Sequence, residues 1–235
     1  MATGVSHSTG SAFGPDPIGA TPLSDEDLAG AIPLDMTTRS DLNRYERRNI
    51  AKALPWALRY ARLEGPLGVL DISLLFQLHR RMFGEVWTWA GRVRQRETNV
   101  GVDPTQILTQ ARQAFDDARY WHKNATFETD ELSVRIHFRL VHVHPFANGN
   151  GRCTRLAADL YRHSIGSPLL PWGGEAVSLD DQGPARATYI AAIMEAEQGN
   201  YQPLIDFARS DSPRLPAPSS HNPSHKLGIT GAEWD

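Results

Sequence analysis

Apolar positions along most of this chain recur every three or four residues, the period of a helix with one buried face. In "TTRSDLNRYERRNIAKAL", Leu42, Tyr45, Asn49 and Ala53, with Leu54 beside the last, keep that spacing. Thr38 is an N-cap candidate with Asp41 three residues on, and Pro55 is expected to end or kink the helix. "DISLLFQLHRRMFGEV" predicts a second helix on Leu74, Leu78 and Met82, and "TQILTQARQAFDDARYWHKN" a third on Ile107, Ala111, Phe115 and Ala118. "DELSVRIHFRLVHVHPF" is apolar on two faces: Leu132, Ile136, Leu140 and Val143 form one, Val134, Phe138 and Val141 the other. A helix buried on two sides is expected at the centre. "GRCTRLAADLYRHSIG" predicts a fifth helix with Cys153, Leu156, Ala157 and Leu160 inward and Gly166 as C-cap. "GPARATYIAAIMEAEQGN" and "YQPLIDFARS" supply two more. Only "GRVRQRETNVGV" alternates as a strand does, which predicts a short hairpin. The predicted class is all-α, a compact helical bundle with one small β-hairpin flap.

The two ends differ in composition. Residues 1–24 are rich in Gly, Ser, Thr and Pro, and 211–235 carry four prolines with few large apolar groups, so both are expected to be flexible tails. Hydrophobic residues make up 40% of the 235, enough for a packed core, and a net charge of −3 carries no global bias toward nucleic acid or anionic membrane. The single cysteine, Cys153, excludes an internal disulfide framework. The N-terminal residues lack a basic, then apolar, secretion signal, and no apolar run is long enough to span a bilayer. A soluble, cytoplasmic protein is expected.

The chemistry concentrates in "HPFANGNGRCTR", residues 144–155. Pro145 must stop the fourth helix, because the residue before proline avoids the helical region. The fifth restarts near Asn150 or Gly151. Gly149 and Gly151 permit backbone shapes that point successive N–H groups at one centre. That centre lies at a helix N-terminus, where unpaired donors favour an anion. Arg152 and Arg155 sit three apart, and arginine forks match phosphate oxygens. His144 at the other lip is a natural general base, able to take a proton from a hydroxyl and direct it at phosphorus. Each feature alone has an ordinary structural explanation; the conjunction within twelve residues favours a polyphosphate site. His137, His142 and His144 cluster in sequence, but their spacing does not suit zinc on one helix, and no zinc site is expected.

The stretch resembles the signature of the Fic family, H-P-F-x-[D/E]-G-N-G-R-x-x-R, and matches it at every defined position but one. "HRRMFGEVWTWAGRVR" is similar to the segment before that family's flap, and "RATYIAAIMEAEQGNYQPLIDF" to its C-terminal helices. The resemblance implies a helical extension at 25–65 and a Fic domain at 66–210. "LAGAIPLDMTTRSDLNRYERRNI" is similar to the subgroup called mobile mystery protein B. The family resemblance implies transfer of AMP from ATP to a Tyr, Thr or Ser hydroxyl of a target protein. His144 would be the base, Gly149, Asn150 and Gly151 the phosphate cradle, and Arg152 and Arg155 the groups holding the β- and γ-phosphates. Thr98, Asn99, Val100 and Gly101 would lie in the flap that clamps the target by strand addition. The departure is Asn148, which stands where the family's acidic residue coordinates Mg2+; an asparagine oxygen is the weaker ligand. Relatives also carry an inhibitory glutamate that pairs the second motif arginine. No strict match occurs here; Glu46 is the nearest candidate, and its place among Arg44, Arg47 and Arg48 reads first as a solvated surface glutamate. An antitoxin-like partner would then supply the brake, as in a toxin–antitoxin pair.

Two other readings stand beside this one. Arg80, Arg81, Arg92, Arg94 and Arg96 with Trp87 and Trp89 form a basic-aromatic stretch that suits a non-catalytic nucleotide- or nucleic-acid-binding module, although His144 has no task in pure binding. Within enzymes, the donor could be another nucleotide, or the reaction removal of AMP. Tyr189 and Trp87 are candidates for stacking on the base, with a core role the simpler reading for both.

Overall fold

A computed structural model describes residues 19–33, 35–174 and 184–211. The expected tails fall outside these residues except for 19–24 and 211. Among the described residues eight α-helices run in chain order: α1 (Asp25–Ala29), α2 (Arg39–Val69), α3 (Ile72–Phe83), α4 (Ile107–Lys123), α5 (Thr129–Val143), α6 (Asn150–Ser164), α7 (Pro184–Glu197) and α8 (Gln202–Arg209). α5 is central, with α4, α6 and α8 packed around it; both of its predicted apolar faces are buried. α6 closes the core between α5, α2 and α3, and α7 pairs with α8.

Local chemistry sets the helix starts. The expected cap of α2 forms as a reciprocal pair: the Asp41 amide donates to Thr38 Oγ1 at 3.1 Å, and the Thr38 amide to Asp41 Oδ2 at 3.1 Å. Ser24 and Asp27 cap α1 in the same way. Pro55 does not end α2. It lies on the exposed side, where the carbonyl it deprives can turn to water, so the helix runs on past it. The break comes at Gly65, whose φ of 66° and ψ of −176° only glycine adopts without strain.

The expected β-hairpin between Gly91 and Val102 is absent; no strand occurs among the described residues, apart from one isolated bridge between Ala31 and Trp87. Arg94 takes over the role of a ladder. Its buried guanidinium donates to the carbonyls of His144, Arg96 and Val102, and its own amide donates to Pro145 O at 2.9 Å. The alternation that resembles a strand therefore records one side chain turned inward to hold three carbonyls.

Candidate active site

α5 ends at Val143, and His144 caps it in the left-handed region, at φ 53° and ψ 60°. Pro145 disfavours a helical residue before it, and the left-handed form costs an ordinary residue roughly 1–2 kcal/mol. Arg94 Nε holds the His144 carbonyl at 2.7 Å, which offsets that strain. The ring's orientation follows from its neighbours. Nδ1 lies 3.2 Å from the Val141 carbonyl, which can only accept, so Nδ1 carries the hydrogen. In the neutral ring Nε2 is then a bare acceptor, and it faces Thr21 Oγ1 at 2.8 Å. Burial pushes the imidazole down from 6.5 to about 4, with Arg94 adding to the fall and the Val141 carbonyl opposing it. The ring is unprotonated at neutral pH and ready to accept a proton.

The loop after His144 is held from several sides. Phe146 is fully buried and stacks on the His79 ring, with centroids 3.7 Å apart. The Asn150 side chain bonds both the Phe146 amide, at 2.9 Å, and its carbonyl, at 2.7 Å. Asn150 thus closes the loop with its side chain. Gly149 sits at φ 77°, and a Cβ there would lie 2.7 Å from the Phe83 ring. The N-cap Gly149 has no side chain to cap the first turn of α6, and the amides of Asn150 and Gly151 lie too early in the helix for an intrahelical acceptor.

His79, not singled out by the sequence, joins this loop to the segment before the flap. The Gly91 amide donates to Nδ1 at 3.0 Å, so Nε2 carries the hydrogen and donates to Asn148 O at 2.9 Å. The available signal was a histidine on the apolar stripe of α3, beside Leu75, Leu78 and Met82. Burial pushes it from 6.5 to about 3.

His79 and His144 are therefore held neutral in the folded state, and burial lowers His137 in the same direction. Depressed folded pKa values mean that their contribution to stability is complete above about pH 6.5 and lost as pH falls toward 4 and 3. Asp159 works the other way: burial raises it to about 6 despite bonds from the Leu170 amide and Trp172 Nε1, so its contribution is present below 3.8 and lost as pH rises through 6. His79, His137 and His144 all shift the same way and outweigh the one carboxyl. The melting temperature should fall as pH drops below 6.5, and His79→Gln should flatten that slope while lowering the melting temperature at neutral pH. A wild-type melting temperature independent of pH across this window would contradict the assignment.

The two motif arginines lean to different neighbours. Arg152 Nη1 lies 2.6 Å from Glu46 Oε2, and Arg152 Nη2 is 3.5 Å from Asn148 Oδ1. Arg155 folds back over Gly151 and lies 5.4 Å from the Tyr189 ring centroid on α7. Glu46 is not the surface residue its charged neighbours suggested. It is 2% exposed, it continues the buried stripe of Leu42, Asn49 and Ala53, and its Oε1 accepts from Trp87 Nε1 at 2.8 Å. It pairs the first motif arginine, where the resemblance implied the second. Asn148 Oδ1 is engaged as well, accepting the Gly149 amide at 2.5 Å.

Of Thr98, Asn99, Val100 and Gly101, it is Gly101 that packs directly against the base. Thr98 Oγ1 donates to Val100 O at 2.6 Å, and a Cβ on Gly101 (φ 107°) would meet His144 Cβ at 2.4 Å, so only glycine permits this approach. Asn99 Nδ2 reaches across to Ala20 O at 3.0 Å. The other histidines have separate partners: His137 bonds Thr154 and Tyr189, and His142 bonds Glu197. Tyr189 and Trp87 are buried in the core. The basic-aromatic stretch does not form one binding surface, because Arg94 and Trp87 are buried and Arg96 is paired with Asp27.

The profile of the "Fic/DOC family" matches residues 69–161, which include the whole motif loop. The chain is 29% identical over 153 residues to "Protein adenylyltransferase fic-1" of Caenorhabditis elegans, covering 61% of this chain but only 27% of that protein. Its structure is similar to a solved C. elegans Fic-1 fragment, with a TM-score of 0.55 at 25% identity over 76% of this chain and 50% of the fragment. It is also similar to the BepC protein of Bartonella tribocorum, solved with bound AMPPNP, with a TM-score of 0.54 at 20% identity over 72% of this chain and 85% of that one. Residues 69–161 of this chain accordingly resemble a Fic/DOC family domain.

Proposed function

We propose that this protein transfers AMP from ATP to a hydroxyl side chain of a target protein. The observation that carries the reading is the His144 ring, locked by Val141 so that its bare Nε2 faces an aliphatic hydroxyl beside the uncapped start of α6. His144 takes the hydroxyl proton, and the oxygen attacks the α-phosphorus. The α–β bridging bond breaks, and pyrophosphate leaves. The amides of Asn150 and Gly151 face the phosphates, and that of Gly149 joins them once it leaves Asn148 Oδ1, with Arg152 and Arg155 neutralising the charge that develops on pyrophosphate. Asn150 also fixes the loop shape through its side chain. The similarity to adenylyltransferases and the AMPPNP bound by BepC support the choice of ATP and of AMP as the transferred group. The test is incubation with MgATP and a cell lysate: α-labelled ATP should mark a protein band and γ-labelled ATP should not. Marking that depends on the added protein and follows the γ label but not the α label would instead indicate phosphoryl transfer.

The residues present do not fit a resident Mg2+. Among the described residues no cluster of three His, Cys, Asp or Glu exists, and the Asn148 oxygen is tied to the Gly149 amide and faces a guanidinium. Mg2+ then enters as part of the MgATP substrate, with phosphate oxygens and water as its ligands. Asn148→Asp should lower the Mg2+ concentration at half-maximal transfer; an unchanged requirement would show that this position does not meet the ion.

Glu46 acts as a brake in this reading, because a carboxylate on Arg152 competes with phosphate for the same guanidinium. An antitoxin-like partner, suggested by the subgroup resemblance of the N-terminal segment, would act on top of that contact. No described helix is long and apolar enough to cross a membrane.

A further inference from the structure

The site already contains a hydroxyl. Residues 19–22 run across the flap in front of His144, and their contacts are specific. Asn99 Nδ2 donates to Ala20 O at 3.0 Å, Arg96 Nη2 donates to Pro22 O at 2.9 Å, and between these two carbonyls Thr21 Oγ1 reaches His144 Nε2 at 2.8 Å. Arg96 is itself fixed by Asp27, at the start of the chain's own first helix. Thr21 is buried, and its neighbour Gly19 adopts φ 66°, which turns the chain into this track. An extended segment held by backbone carbonyls on the flap, with one hydroxyl at the base, is the geometry an acceptor peptide needs.

We propose that Thr21 is an acceptor in cis, so that the protein places AMP on its own N-terminal segment; this rests on the function proposed above. The tautomer of His144 leaves the Thr21 hydroxyl as the donor of their hydrogen bond, so the proton already points along its path. In the step, Nε2 takes that proton as Oγ1 bonds to the α-phosphorus of ATP. The bond between the α-phosphorus and the α–β bridging oxygen breaks, and its electron pair leaves with pyrophosphate. The proton passes from the imidazolium to solvent. The products are Thr21 O-AMP, pyrophosphate and a neutral ring. Modified Thr21 has no hydroxyl left to return to Nε2, so each chain is marked once, and the track along Asn99 and Arg96 opens to another protein.

The experiment incubates the full chain with MgATP, in wild-type and Glu46→Gln forms, and maps the modified peptide by mass spectrometry. One AMP at Thr21 is expected, at a rate per chain unchanged by tenfold dilution. Thr21→Ser should keep the label, and the isosteric Thr21→Val should lose it while still marking a lysate protein from α-labelled ATP. Marking of lysate proteins with Thr21 unmodified, persistence of the self-label in Thr21→Val, or a rate that falls on dilution would overturn the cis acceptor and leave the transferase reading standing. No label on any protein, in either background, would overturn both.

Discussion

His144→Ala should slow AMP transfer by about 10²- to 10⁴-fold, the usual contribution of a positioned general base. The prediction separates chemistry from binding, since the groups that would hold ATP lie on α6 and reach other partners. The dissociation constant for ATP, measured by calorimetry, should change by less than about threefold, while single-turnover transfer collapses. His144→Asn is the sharper variant. Asparagine tolerates the left-handed backbone at this position, so the loop keeps its shape and only the base is lost. Transfer by His144→Asn within tenfold of wild type would remove the imidazole from the mechanism.

Glu46→Gln should tighten ATP binding by about 10- to 100-fold, roughly 1.4–3 kcal/mol. The wild-type carboxylate sits 2.6 Å from Arg152, so a triphosphate arriving there loses part of a guanidinium and meets a negative charge at the same point. Glutamine removes the charge but keeps a carbonyl for Trp87 Nε1, so the buried indole is not left without an acceptor. Without nucleotide the variant should melt below wild type, because removing one member of a buried ion pair strands the other. Saturating ATP should raise its melting temperature by more than it raises that of wild type, since ligand binding to the folded state adds stability that grows with the logarithm of ligand concentration over Kd. Equal affinities in the two proteins would mean that Glu46 only supports the packing of α2 and restrains nothing.

The elements themselves were legible. Every long helix follows the period of its apolar positions, and the Thr38–Asp41 pair caps α2 as its spacing implied. The motif loop was legible too, because Pro145 and Gly149 constrain the backbone through covalent geometry, which no distant contact can undo. Pro55 was misleading for a complementary reason. The cost of a proline inside a helix depends on whether the deprived carbonyl finds water, and that is a matter of which side faces out.

What the sequence determined by itself is thus local and additive: helical periodicity, caps, the stop at Pro145, the left-handed turn at Gly149, and the set of groups within twelve residues that could serve phosphate chemistry. Tertiary structure alone decided where the charges and hydrogens of the site go. It brought Glu46 from 106 residues away onto Arg152, turned Arg94 inward to hold the carbonyl of His144, placed His79 under the loop, and laid Thr21 against the base from 123 residues away. A charged or polar side chain has the same local signature whether water or protein satisfies it. Only the packed neighbours determine which, because the cost of burying such a group is recovered by partners that have no fixed distance in sequence.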